Sequence, residues 1–289
     1  MSPAPPDSGR GTSATFPFVD SQTPESGQKS TPTSPDVSVI IPAYNEEKRL
    51  PPTLARIEEY FAARPLTWEI LVVDDGSRDQ TAQVVESLRS RIAGLRLVSN
   101  AGNRGKGYSV RHGMREAKGN VALFTDADLS APIEEADKLL AALENSDVAI
   151  GSRALNRGLI EVHQSGVREM AGKSFNWAVR ALIGVPFADT QCGFKAFRRE
   201  RTQILFEQQR IERFGFDPEL LFLARRHGLS VVEVPVRWAH DPATRVHVLG
   251  DGLQMVGDLA VIRWNSLLGR YPSVSAAPGP AEAPAGSGK

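Results

Sequence analysis

Three short runs of acidic and polar residues in this 289-residue chain have the types and spacing to do chemistry. They are Pro42-Ala43-Tyr44-Asn45-Glu46-Glu47, Asp74-Asp75-Gly76-Ser77 and Asp126-Ala127-Asp128. A carboxylate just beyond a strand accepts hydrogen bonds from a ribose hydroxyl or a base N–H. Two carboxylates at i and i+2 hold a hard divalent cation, which in turn grips a diphosphate. Capping of the following helix is the competing reading for any one run. Three runs on one sheet edge favour a ligand.

A fourth run, Gly102-Asn103-Arg104-Gly105-Lys106-Gly107, puts two cations at a helix start, where phosphate or carboxylate binds readily. A plain tight turn fits it equally well. Arg104 stands where a dinucleotide loop has its second glycine. Asn100 and Gly107 stand where a P-loop needs Gly and Ser/Thr, so neither motif is present.

The elements that must position these runs follow from periodicity. Val37 to Ile41 reads as a buried strand stopped by Pro42, and Leu50, Leu54, Ile57 and Phe61 recur at helical spacing behind it. Strands over 69–73, 95–98, 121–124 and 147–150 alternate with three more helical sets: Val84 to Ile92, residues 107–118, and Ile133 to Leu143. Alternation of this kind predicts right-handed βαβ units, a mainly parallel sheet, and ligands at the carboxyl ends of the strands. From Gly151 the rhythm breaks into a basic loop, a helix over 167–183, and a polar, Gly-containing segment from Asp189 to Lys195. A helix over 216–227, a strand over 230–236 and a final helix over about 251–268 follow.

Composition sets the outer bounds. Seven of the 20 prolines fall in residues 1–35 and four in 271–289. These ends lack apolar periodicity, so the expectation is one α/β domain over 37–270 with disordered tails at 1–36 and 271–289. Thirty-four Lys and Arg balance 34 Asp and Glu, which argues against nucleic acid as a partner. One cysteine, Cys192, excludes a disulfide framework and reads as a small packed residue. No apolar run approaches a membrane span and no secretory leader is evident, so a cytoplasmic protein is expected.

Two features point to a second ligand and a surface. Between 153 and 180, Arg153, Arg157, Arg168, Lys173 and Arg180 face only Glu161 and Glu169, a local +3 on a neutral chain. That suits an anion, with surface solvation as the alternative. The final helix carries Leu253, Val256, Gly257, Ala260, Val261, Trp264, Leu267 and Leu268 at 3–4 spacing, a set expected to pack on the domain. Met255, Leu259 and Ile262 remain as the surface that would meet a bilayer or a polyprenyl chain, with Arg263 and Arg270 near lipid headgroups.

The order of these motifs resembles the GT-A glycosyltransferases of family 2. Gly151-Ser152-Arg153, Asp189-Thr190-Gln191-Cys192-Gly193-Phe194-Lys195, Phe216-Asp217-Pro218-Glu219 and Val234-Pro235-Val236-Arg237-Trp238 are similar to the dolichyl- or polyprenyl-phosphate glucosyltransferase branch. The Q-x-x-R-W signature of processive synthases is absent, since Val234 and Ala260 occupy its Gln positions.

The resemblance implies a GT-A fold and an inverting transfer of glucose from UDP-glucose to a polyprenyl phosphate at the cytosolic membrane face, with peripheral attachment. It implies that Pro42, Ala43, Tyr44 and Glu46 line the nucleoside pocket, that Asp74 bonds uracil, and that Lys106 and Ala127 lie near the nucleotide. Asp126 and Asp128 would hold Mg²⁺ or Mn²⁺, and Ser130 stands where some relatives have a further ligand. Arg153 and Arg168 would hold the lipid phosphate, with Asp189 as base or as a group that orients the acceptor. Other readings are a GDP-mannose or UDP-N-acetylhexosamine donor, a non-lipid glycan acceptor, and a binding protein without turnover.

Overall fold

In a computed structural model, residues 34–162, 166–239 and 248–272 are described, without the side chains of 167–168 and 248–251. The first half is β1 (Val37–Ala43), α1 (Leu50–Ala62), β2 (Trp68–Asp74), α2 (Thr81–Leu88), β3 (Leu95–Ser99), α3 (Lys106–Glu116), β4 (Val121–Thr125) and α4 (Ala136–Ala142). The second half is β5 (Val148–Ser152), β6 (Ile160–Val162), α5 (Gly166–Ile183), β7 (Phe194–Arg198), α6 (Arg199–Gln208), α7 (Phe216–Arg226), β8 (Val231–Pro235), β9 (Trp238–Ala239) and α8 (Val248–Leu267). Seven strands form one sheet in the order β3-β2-β1-β4-β7-β5-β8, and β6 pairs with β9 apart from it.

The expected parallel sheet is present with one exception. β7 runs antiparallel between β4 and β5, pairing Thr125 with Phe194 and Ile150 with Lys195. Pro42 does not stop β1 as expected. The pairing of β1 with β4 ends at Ile40, so Pro42 lies past the last rung on that side while pairing with β2 continues to Ala43.

β1 is apolar on both faces because each face is covered. Val39 and Ile41 join Leu54, Ile57 and Phe61 of α1 and Leu139 of α4 in one core. Ile40 joins Val110 and Met114 of α3, Leu220 of α7 and Leu259 of α8 in the other. The packed region is slightly wider than 37–270. Asn120 N–H donates to the Pro35 carbonyl at 3.0 Å, and Tyr271 is fully buried with its hydroxyl donating to Glu219 at 2.6 Å. Residues 1–33 and 273–289, where tails are expected, lie outside the described residues.

The two faces of α8 are exchanged relative to expectation. Met255, Leu259 and Ile262 are buried in the second core, whereas Leu253, Trp264 and Leu267 are 77%, 60% and 67% exposed. Spacing alone cannot choose between two apolar faces of one helix. Here the Met255, Leu259 and Ile262 face joins the second core, and the Asp258 carboxylate sits against Gly215 before α7, where a Cβ would overlap it, and accepts the Gly215 N–H.

Helix α3 lies close on the sheet because Gly113 has no side chain. A Cβ there would stand 2.8 Å from Val73 Cγ2 and 2.5 Å from Ile40 Cγ2. Gly113→Val is expected to cost about 1–3 kcal/mol through overpacking, read as a lower thermal midpoint. An unchanged midpoint contradicts the close packing.

Candidate active site

Six strands of the sheet share one direction, so the loops after β1, β2, β4 and β5 leave from one edge. β7 runs the other way, so the 189–193 turn before it starts at that same edge. Antiparallel insertion thereby brings the acidic runs and the Asp189 turn together.

The turn after β4 is tight and strained. Leu129 holds φ 47°, a region that costs free energy for a bulky residue, while Leu129 N–H bonds the Asp126 carbonyl at 3.2 Å. Ser130 N–H donates to Asp128 Oδ1 at 2.9 Å, which turns the residue at the possible third-ligand position towards holding Asp128. Burial, then the neighbouring Asp126 charge, raises the Asp128 carboxyl above its ordinary range. Asp126 Oδ1 pairs with Lys106 Nζ at 2.6 Å. Burial opposes the Lys106 charge, but Asp126 and Asp217 outweigh it and hold the ammonium above its usual range. Gly193 closes the other side of Asp126, for a Cβ at 193 would overlap that carboxylate. Ala127 is buried, and its carbonyl accepts from Thr53 Oγ1 of α1 at 2.7 Å.

The loops after β1 and β2 brace each other. Asn45, at φ 54°, takes Arg78 N–H on its side chain at 2.7 Å and gives its own N–H to Ser77 Oγ at 2.8 Å. Glu46 pairs with Arg49 at 3.2 Å, beside Pro42, Ala43 and Tyr44 on the same edge. Asp74 and Asp75 differ in task. Asp75 accepts from Asn100 Nδ2, Arg104 N–H and Gly105 N–H at 2.8–2.9 Å, and so shapes the glycine-rich loop. Asp74 receives Ser77 N–H at 3.1 Å. Arg104 leaves the ligand edge to pair with Glu212 at 2.8 Å.

Across the edge, Arg153 and Asp189 form a fork-to-fork pair, Nε to Oδ2 at 2.6 Å and Nη2 to Oδ1 at 2.8 Å. Burial would raise the Asp189 carboxyl, but Arg153 overrides it and holds it at about 2. Glu233 accepts the N–H groups of Ala188 and Asp189, fixing this turn to β8. Arg153, Arg157, Lys173, Trp177, Arg180 and Trp238 line an adjoining cleft of about 400 Å³. Arg168 lies on α5, and its side chain is outside the described residues. Cys192 is packed, its thiol pushed up to about 12 by burial.

Sequence reasoning gave no role to Lys195 and Asp217. Lys195 is wholly buried, donating to the Cys192 carbonyl at 2.5 Å and to Asp217 at 2.7 Å. A lysine inside a strand flanked by β4 and β5 is the signal, legible only once β7 is recognised as central.

The sheet order, the acidic edge and the basic cleft make this a GT-A glycosyltransferase fold. Glucosyl-3-phosphoglycerate synthase from Mycobacterium tuberculosis, solved with Mn²⁺ and UDP-glucose, matches with a TM-score of 0.55 at 18% identity over 84% of this chain and 81% of that one. A Pyrobaculum calidifontis mannosyltransferase with GDP-mannose and Mn²⁺ matches at 0.54 and 20% identity, over 80% of this chain and 65% of that one.

The glycosyl transferase family 2 model matches residues 38–201, and the chain belongs to that family. It is 38% identical to a dolichyl-phosphate beta-glucosyltransferase of Trichomonas vaginalis over 74% of this chain and 69% of the relative. It is similar to proteins of the same name in Drosophila melanogaster (38%; 82% and 77%) and Homo sapiens (33%; 81% and 77%).

Two outcomes follow from the buried charges. Lys195→Met strands the Asp217 carboxylate and is expected to cost about 3–5 kcal/mol in chemical denaturation, with Lys195→Met/Asp217→Leu recovering most of it. Equal stability of wild type and the single variant contradicts this. Asp189 has a folded value of about 2 against 3.8 unfolded. Its contribution is therefore complete above pH 4 and disappears as pH falls towards 2. Asp189→Asn should flatten that acid dependence in thermal melts, and an unaltered profile contradicts the pairing.

Proposed function

We propose that this chain transfers glucose, with inversion, from UDP-glucose to a polyprenyl (dolichyl-type) phosphate. The observation that carries the reading is Arg153, forked onto buried Asp189 in a basic cleft at the edge that holds Asp126 and Asp128. The named activity of the family relatives supports the acceptor and sugar. In this reading Pro42, Ala43, Tyr44 and Glu46 border the nucleoside, Asp74 takes the uracil edge, and Lys106 and Ala127 flank the diphosphate.

The residues fit a hard divalent cation. Asp128 carries a carboxyl whose charge its surroundings disfavour, and oxygen donors suit Mg²⁺ or Mn²⁺. Among the described residues no three His, Cys, Asp or Glu side chains converge. Asp126 and Asp128 therefore supply a partial ligand set, of the kind completed by substrate phosphate and water. When bound, the ion supplies positive charge for the leaving diphosphate.

The acceptor needs little activation. A phosphate monoester with a second pKa near ~6 is largely dianionic at neutral pH, so its oxygen is already a nucleophile. Asp189, held ionised by Arg153, is a poor proton acceptor and orients the guanidinium instead. Arg153 and Arg168 then position phosphate oxygens for attack on the anomeric carbon from the side opposite UDP. The polyprenyl chain requires that the enzyme work against a membrane, at its cytosolic face and by peripheral contact. Among the described residues no helix is long and apolar enough to cross a bilayer.

Two variants test the assignment. Asp128→Ala should abolish transfer with the thermal midpoint retained, and full activity at saturating Mn²⁺ contradicts the metal role. Arg153→Lys keeps the charge and loses the fork, which should lower kcat/KM for lipid phosphate by roughly tenfold to a hundredfold. The KM for UDP-glucose should stay level, and an equal effect on both substrates overturns the acceptor role.

A further inference from the structure

Helix α8 is apolar on both sides, a pattern expected of a fully enclosed helix, yet only one side is enclosed. Every large exposed hydrophobic residue among those described lies in one of two stretches, Leu155 to Leu182 or Leu253 to Leu268. Helices α5 and α8 pack against each other, so exposed Met170, Trp177 and Leu182 of α5 lie on a helix adjoining Leu253, Val256, Val261, Trp264 and Leu267 of α8. Trp177 of α5 is 73% exposed and also lines the cleft that holds Arg153. An apolar surface of this kind marks an interaction site.

The surrounding charge identifies the partner. Lys173 and Arg180 of α5, Arg263 of α8 and Arg270 just after it are exposed, against one exposed acid in the first stretch, Glu161 of β6. Glu169 is partly covered and engaged by Arg157 and Lys173, and Asp258 is turned inward onto Gly215. Tryptophans within a cationic border suit the headgroup zone of an anionic leaflet. A second copy docking through the same face would bring these like charges together across a two-fold axis.

We infer that the exposed face of α5 and α8 docks on an anionic phospholipid bilayer, and that the Arg153 cleft opens within this face. A lipid acceptor can then present its phosphate to the cleft while its chain stays in the membrane. The docking half of the inference stands on the surface alone, and the second half rests on the acceptor proposed above.

The test uses the full chain and the triple variant Leu253→Glu/Trp264→Glu/Leu267→Glu, all at exposed positions away from the cleft. Vesicles of phosphatidylcholine with phosphatidylglycerol should sediment the wild type, and pure phosphatidylcholine should do so less. The triple variant, with an unchanged thermal midpoint, should lose at least about tenfold in partition. Its transfer to a short, water-soluble polyprenyl phosphate should match wild type, while transfer to a long-chain acceptor in vesicles falls. Undiminished vesicle binding by the triple variant overturns the inference. So does a wild-type dimer in sedimentation velocity that the triple variant dissolves while neither protein binds vesicles. Loss of vesicle binding with no transfer to any polyprenyl phosphate by wild type upholds docking and overturns the acceptor reading.

Discussion

The Asp126 carboxylate rests against the backbone of Gly193 so closely that no side chain fits at 193, and this contact joins the two halves of the site. Asp126 belongs to the turn after β4, and Gly193 to the turn that opens β7. Their contact is possible because β7 enters the sheet antiparallel and starts where β4 ends. Had β7 been another parallel strand, the Asp189 turn would lie at the opposite edge and Arg153 would have no buried carboxylate to align it.

Around that contact, charges of alternating sign are held by short bonds. Lys106 neutralises Asp126, Lys195 neutralises Asp217, and Arg153 neutralises Asp189. Lys106 and Lys195 lie 5.4 and 5.7 Å from the Phe124 ring centroid. Burial of both partners makes Lys195–Asp217 expensive to break, whereas Lys106 and Asp126 stay partly exposed. Burial raises the Asp217 carboxyl even beside Lys195, and burial followed by the neighbouring Asp126 charge raises that of Asp128. That is the electrostatic setting in which a divalent cation is welcome.

Much of this was legible from residue order. The five parallel strands, the helices behind them and the acidic runs at their ends follow from periodicity, because strands buried on both faces read as unbroken apolar runs. β7 and α6 were not legible, since Phe194-Lys195-Ala196-Phe197-Arg198 looks half-solvated while Lys195 is fully enclosed. The division of labour between Asp74 and Asp75 was invisible too, for it depends on which carboxylate the glycine-rich loop wraps. The face of α8 that packs is not legible because composition marks two apolar faces, and the choice between them depends on tertiary contacts such as Asp258 against Gly215. The fork of Arg153 onto Asp189 is likewise invisible in residue order, since the two are 36 positions apart and meet only through the antiparallel β7.

The central claim is that one sheet edge serves both a nucleotide sugar and a lipid phosphate. Its most direct test is transfer of radiolabel from UDP-glucose, GDP-mannose and UDP-N-acetylglucosamine into organic-extractable polyprenyl phosphate, with Mn²⁺ or with EDTA. The account predicts label in the lipid phase from UDP-glucose alone, lost on chelation. Lipid label from another donor, or none from UDP-glucose with folded, metal-supplied protein, contradicts it.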